Sequence, residues 1–134
     1  MKRDMDLVRK ILLQIEEEYV STSLFDLAIS GYDKETIAYH CKIMHEAGMV
    51  SGYSPFYADD RLFSFKVSGL TWEGNDYLDK VRDDSMWGKT KDIIKKQGLP
   101  LVIETIKSVT SALITAATQG ITNSIMQNGG VGVN

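Results

Sequence analysis

"KETIAYHCKIMHEAGMVSG", residues 34–52, decides how this chain is read. Asp33 just before it is a natural N-cap, and Glu35 lies in the first turn, where the helix dipole favours negative charge. Ile37, His40, Cys41, Met44 and Ala47 recur at helical spacing and form one inward face. Gly48 suits the left-handed position that ends a helix. The spacing predicts a helix over 33–47 whose outward face carries Glu35, Ala38, Tyr39, Lys42, His45 and Glu46. The run from Met49 to Tyr53 then predicts a strand.

Working outward, the flanks follow a consistent order. Leu7, Val8, Ile11, Leu12 and Ile15 form an apolar stripe, which predicts a helix over 4–18 with Asp4 and Asp6 at its start. "SLFDLAIS" alternates Phe25, Leu27 and Ile29 with polar or small residues. It predicts a strand, although Leu24, Leu27 and Ala28 would also fit one helical turn. "SPFYADD", 54–60, reads as a turn, since Pro55 is incompatible with a central strand. "RLFSFKVSG", 61–69, alternates again and completes a β-hairpin. Thr71 then caps a helix over 72–82 with Tyr77, Leu78 and Val81 inward. Ser85 caps another over 86–97, stopped by Gly98, and Pro100 opens a last helix running to about Thr118.

Up to Gly69 the order helix, strand, helix, strand, hairpin, strand is that of an α+β winged-helix-like domain with a reduced helix-turn-helix. The expected organisation is a winged-helix-like domain over 1–84, a C-terminal helical extension over 85–127 and a flexible tail over 128–134. The 134 residues suit such a domain with an appendage.

"MKRDMDLVRKILLQIE", "GYDKETIAYHCKIMHEAGMV" and above all "LTWEGNDYLDKVRDD" resemble a family of short, phage- and prophage-associated bacterial proteins catalogued only as a domain of unknown function. The resemblance covers roughly residues 1–98 and implies a winged-helix-like fold. It implies no activity. The tail after Gly98 departs from the pattern by its length and its Ser, Thr and Ala content.

In winged helices a helix like 33–47 often lies in the DNA major groove. In that mode Tyr39, Lys42 and His45 face the bases, and Lys34 and Lys66 contact phosphates. The chain's net charge of −3 opposes binding by bulk electrostatics. So does an outward face with one Lys against two Glu. The primary reading is a non-catalytic DNA-binding regulator acting on double-stranded DNA. The alternative is a module that binds a host or phage protein partner through the same helix or the C-terminal stripe. A contiguous positive surface would favour the first; a neutral face exposing Tyr39, Tyr53 or Phe56 would favour the second.

Other constellations carry less. His40 and His45 are five residues apart and point about 140° from each other on a helix, so they are not a metal pair. His40 is expected in the core, as is Cys41, which has no base placed by sequence beside it. Asp76, Asp79 and Asp83 read as a solvated face pairing with Lys80 and Arg82. Trp72 and Trp87 are expected as core anchors, with Gly74 and Gly88 allowing close packing against them. No phosphate-loop, dinucleotide or nucleophile-elbow signature occurs, so no enzyme, cofactor or metal is expected.

Val102, Ile106, Val109, Leu113 and Ala116 step by 4, 3, 4, 3, the seam of a coiled coil, which either packs on the winged helix of the same chain or pairs with a second chain; the width of the stripe favours a homo-oligomer. Glu104 and Lys107 argue against a membrane span there. The single Cys and the charged start "MKRDMDLVRK" fit a cytoplasmic protein.

Overall fold

The computed structural model describes residues 1–133, with side chains as far as Gln127. The tail expected over 128–134 lies outside the residues whose side chains are described. The elements are α1 (Met5–Glu18), β1 (Leu24–Phe25), α2 (Lys34–Glu46), β2 (Tyr53–Ala58), β3 (Arg61–Val67), α3 (Trp72–Val81), α4 (Asp84–Lys96) and α5 (Ile103–Val133). The fold is α+β, and among the described residues the strands form one antiparallel sheet in the order β1-β3-β2. The chain divides into two compact units, one spanning Met1–Arg82 and one starting at Asp83.

In the first unit α1 supplies the centre of the core. Leu7, Ile11, Leu12 and Ile15 are fully buried. The Asp4 carboxylate caps the helix by accepting the N–H groups of Asp6 and Leu7 at 2.9 and 3.1 Å. α2 is capped by Asp33, which accepts the Thr36 N–H at 2.8 Å. It buries Ile37, His40, Cys41 and Met44. Two positions differ from the helical-wheel expectation. Ala47 is exposed because it is the C-cap, beyond the core, and Ala38 is buried because the β2–β3 hairpin covers that flank. Gly48, at φ +75°, ends α2 in a Schellman motif: its N–H reaches the His45 carbonyl, and the Met49 N–H reaches that of Met44.

The sheet corrects three expectations. The strand expected over 24–29 is only two residues long. Asp26 turns out of the sheet at φ +49°: its N–H still donates to the Phe65 carbonyl at 2.9 Å, but the Phe65 N–H goes to its carboxylate at 3.1 Å in place of its carbonyl. Leu27 and Ile29 still reach the core, from irregular chain. Second, Pro55 lies inside β2, opposite Phe65. This is possible because β2 is an edge strand; the central strand is β3. The turn shrinks to Asp59–Asp60, both at positive φ, as a two-residue hairpin of right-handed twist requires. Third, the strand expected over 49–53 is represented ahead of β2 by one isolated bridge, Val50 to Leu70.

α3 begins where α2 ends. Thr71 accepts the Gly74 N–H through Oγ, donates its hydroxyl to the Gly48 carbonyl, and donates its backbone N–H to the Met49 carbonyl. A Cβ on Gly74 would stand 2.1 Å from that Met49 oxygen. Gly74 thus allows a helix-to-backbone approach, not the contact with a Trp that was expected. Trp72 is no core anchor either: it is 79% exposed. The far end of α3 is held by Arg9 of α1, whose guanidinium donates to the Val81 and Arg82 carbonyls at 2.6 and 2.7 Å. Arg82 in turn grips Glu16 with two hydrogen bonds and reaches Asp79, and its guanidinium holds the Glu16 carboxyl below the ordinary range.

In the second unit α4 starts earlier than expected. Asp83, not Ser85, caps it by accepting the Met86 N–H at 2.7 Å, the stronger acceptor displacing the hydroxyl two residues on. Trp87, Thr90 and Ile94 are its buried face, so Trp87 is the core anchor expected of it. α5 packs on α4 and begins at Ile103 rather than Pro100.

Two glycines give a paired test. Gly74→Ala should destabilise the first unit by roughly 1–3 kcal/mol, because backbone must move. Gly88 has nothing within 4 Å of an added Cβ, so Gly88→Ala should stabilise α4 by about 0.5–1 kcal/mol. Urea unfolding followed by circular dichroism for Gly74→Ala, and by Trp87 fluorescence for Gly88→Ala, would show opposite shifts in midpoint.

Candidate functional site

α2 and the β2–β3 hairpin enclose an open groove of about 330 Å³. Glu35, Ala38, Tyr39 and Lys42 form the helical wall, and Tyr53, Tyr57, Asp60, Arg61 and Leu62 form the other. Helix geometry accounts for the first set: positions 35, 39 and 42 stack on one face, and small Ala38 lets the hairpin approach beside them. A register shift between Phe56 and Tyr57 accounts for part of the second. Phe56 pairs with Ser64 but Tyr57 with Leu62, so Phe63 is the extra residue on β3 and Leu62 turns to the face that Tyr53 and Tyr57 share by simple alternation.

The groove is aromatic and electrically balanced. Three tyrosines line it, while Glu35 and Asp60 offset Lys42 and Arg61. Tyr39 stands edge-on to the His40 ring, and Tyr53 lies 6.2 Å from Phe65, so both rings are braced from behind. Burial pushes the Tyr53 phenol up to about 12, so it remains a hydrogen-bond donor at neutral pH. Tyr57 is 68% exposed at the open side.

The residues expected to contact DNA do not come together. Tyr39 and Lys42 share the groove. His45 is exposed on α2 but lies outside the groove lining. Lys34 is turned aside: its ammonium donates to the Phe63 carbonyl at 3.0 Å and lies 3.9 Å from the Asp26 carboxylate. Lys66 is on the opposite face of β3 from the buried Phe65 and Val67, across from Ser54 and Phe25. That outer face instead exposes a stacked pair, Phe25 and Phe56, with centroids 6.4 Å apart.

The remaining candidates have structural occupations. Asp79 binds Arg82, and Asp83 caps α4. Among the described residues no group of three or more His, Cys, Asp or Glu could hold a metal ion. Cys41 is fully buried, which pushes its thiol up to about 12 and keeps it from the reactive thiolate form. His40 is also fully buried. Its Nδ1 lies 2.8 Å from the Thr36 carbonyl, and its Nε2 is 2.8 Å from the Asp4 N–H. A carbonyl only accepts and an amide only donates, so the ring is neutral with its proton on Nδ1.

Val102, just ahead of α5, is half-buried; on α5 Ile106 is buried against α4, Val109 and Leu113 are half-buried, and Ala116 is exposed. The buried line runs instead through Ile106 and Thr110. Sequence reasoning passed over Thr110 because it is polar, but its hydroxyl is satisfied by the Ile106 carbonyl at 2.8 Å. It also passed over Tyr57, Asp60 and Arg61 as site residues, since only the folding of the hairpin beside α2 brings them to that helix. Among the described residues no helix is long and apolar enough to cross a membrane.

The His40 assignment is directly measurable. Nitrogen NMR of the imidazole should report the neutral Nδ1–H tautomer, and His40→Ala should cost roughly 2–4 kcal/mol, since it leaves a cavity and an unpaired Asp4 N–H.

The model of the family described as "Hypothetical protein (DUF2513)" matches residues 2–100, which span α1 to α4 and stop before α5. A Haemophilus influenzae strain Rd protein described as "Uncharacterized protein" is 36% identical over 116 residues, covering 86% of this chain and 97% of that one. No solved structure matches the chain with significance. The extent of the family match, together with a relative aligned along nearly its whole length, shows that the chain belongs to the DUF2513 family.

Proposed function

We propose that the chain is a non-catalytic interaction module of winged-helix type, whose α2–hairpin groove holds a short segment of a protein partner. The strand order β1-β3-β2 and the position of α2 directly before the hairpin support the winged-helix reading. Residues 26–33 form no helix, so the first member of a helix-turn-helix pair is reduced to a loop that buries Leu27 and Ile29.

The observation that carries the choice of partner is the groove lining: three tyrosines with balanced charge. Tyrosine offers wide apolar contact and a hydroxyl at little conformational cost, which is why it is enriched where proteins meet. DNA demands the opposite. Its affinity comes largely from Lys and Arg on phosphates, and here Lys34 is tied to β3 while Lys66 faces away from α2. DNA binding by Tyr39, Lys42 and His45 is the competing proposal, on an exposed but nearly neutral helix face. A phage or prophage setting, which the resemblance implies, would make the partner a host or phage protein met in the cytoplasm.

The test sets a display library of short peptides against random duplex DNA. Selected peptides should bind wild type with weak salt dependence. Tyr39→Ala and Tyr57→Ala should each weaken binding by at least about tenfold, or ~1.4 kcal/mol. DNA binding that falls steeply with salt, by about 0.9 in log–log slope per phosphate contact, and that Lys42→Ala weakens, would overturn the proposal and restore the DNA reading.

A further inference from the structure

The family match ends at residue 100, yet the chain continues as one long helix, α5. Its first turns are explained, since Ile106 and Thr110 are buried against α4. The rest is not. Ile114, Ile121, Ile125 and Met126 are exposed large apolar side chains, with Ile121 at 61% and Ile125 at 64%. On a helical wheel Ile106, Thr110, Leu113, Ile114, Ala117, Ile121 and Ile125 share an arc of about 120°. The exposed stripe therefore continues the surface that α4 covers further back.

Two properties say what covers it. From Ser108 to Gln127 the sequence contains no Asp, Glu, Lys or Arg. An ordinary surface helix carries charge opposite its apolar stripe, and this one has none. A partner surface bearing charge would lose hydration against this stripe and gain no counter-charge. The stripe itself is a surface that meets the requirement: apolar, uncharged and equally long. Self-complementarity of this kind is what a symmetric interface between identical chains demands.

The second property is local. The segment holds Thr115, Thr118 and Thr122, Ile114, Ile121 and Ile125, and Gly120, which are poor helix formers. Charge pairs that would support an isolated helix are absent. Helices without such support need packing to persist in water. Within its own unit, beyond the α4 seam, none is provided among the described residues, and every side chain from Ile114 to Gln127 is exposed.

We infer that the distal half of α5, through Ile114, Ala117, Ile121 and Ile125, packs against the same segment of a second copy of this chain. The contact surface is not the predicted seam: it lies on the Thr110 side of it, and Ala116 takes no part.

Sedimentation equilibrium of the full chain at micromolar concentrations tests this. Wild type should show a mass that is a multiple of one chain, with helicity rising as concentration rises. Ile121→Asp should shift the mass to a single chain, whereas Gln119→Glu, the same charge on the opposite face, should leave it unchanged. Trp87 fluorescence, a report on the α4–α5 seam, should stay native in both. Ile121→Ala separates packing from propensity. Alanine favours helix, so if assembly depends on the stripe the dissociation constant should still rise at least tenfold. A single-chain mass at all concentrations would overturn the inference. So would an oligomer indifferent to Ile121→Asp and Ile121→Ala, or a single chain that floats with phosphatidylcholine vesicles, which would assign the stripe to a membrane surface.

Discussion

One buried imidazole sets the geometry on which the groove depends. His40 accepts the Asp4 N–H at the start of α1 and donates to the Thr36 carbonyl within α2. Asp4 is thereby committed three times: its amide to His40, one carboxylate oxygen to the capped amides of α1, the other to the Tyr32 hydroxyl. A helix packed only by apolar contacts could rotate about its axis at modest cost. A helix holding a directional hydrogen bond in the core cannot, because rotation would strand a buried donor. With His40 inward, positions 35, 39 and 42 face the hairpin and nothing else.

The hairpin is placed by the other end of α2. The Schellman turn at Gly48 delivers the Met49 carbonyl to Thr71, and Gly74 lets α3 close onto that carbonyl. Both chains entering and leaving the hairpin are therefore rooted at one point, where Ser51 also bonds Gly69 and Ser68 bonds Gly52. From that root β2 and β3 rise beside α2, alternation puts Tyr53 and Tyr57 on the groove side, and the bulge at Phe63 turns Leu62 to join them. Arg9 completes the frame by tying α1 to the end of α3. The groove is a space between elements fixed elsewhere, which is how a rigid scaffold presents a recognition surface.

Much of this frame was legible in the sequence because it is written in short-range signals. Asp33, Thr71, Gly48 and Gly98 mark helix ends by local chemistry, and the stripes of α1 and α2 mark faces by periodicity. What escaped depends on neighbours distant in sequence. Pro55 rules out a central strand, but nothing local says that β2 is an edge. Asp26 looks like one polar position in an alternating strand, yet its carboxylate ends that strand by capturing the Phe65 amide. Trp72 has the size of a core residue, but as the first residue of α3 it precedes the inward positions 74, 77, 78 and 81. Lys34 and Lys66 flank the right elements for phosphate contact, and only strand pairing shows that one is occupied and the other faces away. At the site, Tyr39 and Lys42 were legible and the hairpin wall was not, because its place beside α2 is set by long-range pairing and Leu62 reaches it only through a bulge.

The division of charge along the chain links the two proposals. Every Asp, Glu, Lys and Arg lies at or before Lys107, so electrostatic selectivity resides ahead of that point, and α5 beyond it has only shape and apolar area. A groove of about 330 Å³ can bury a few side chains of a partner, which supports modest affinity for a single segment. Pairing of chains through α5 would present two such grooves in one assembly. A partner offering repeated segments would then be held by effective concentration rather than by a larger interface. The two contributions separate cleanly: a substitution such as Ile121→Asp should leave binding of one free peptide unchanged, yet weaken capture by a surface carrying many copies. A groove residue such as Tyr39 should weaken both. If Ile121→Asp weakened the free peptide as well, assembly and recognition would share a surface, and the assignment of the groove as an independent site would fail.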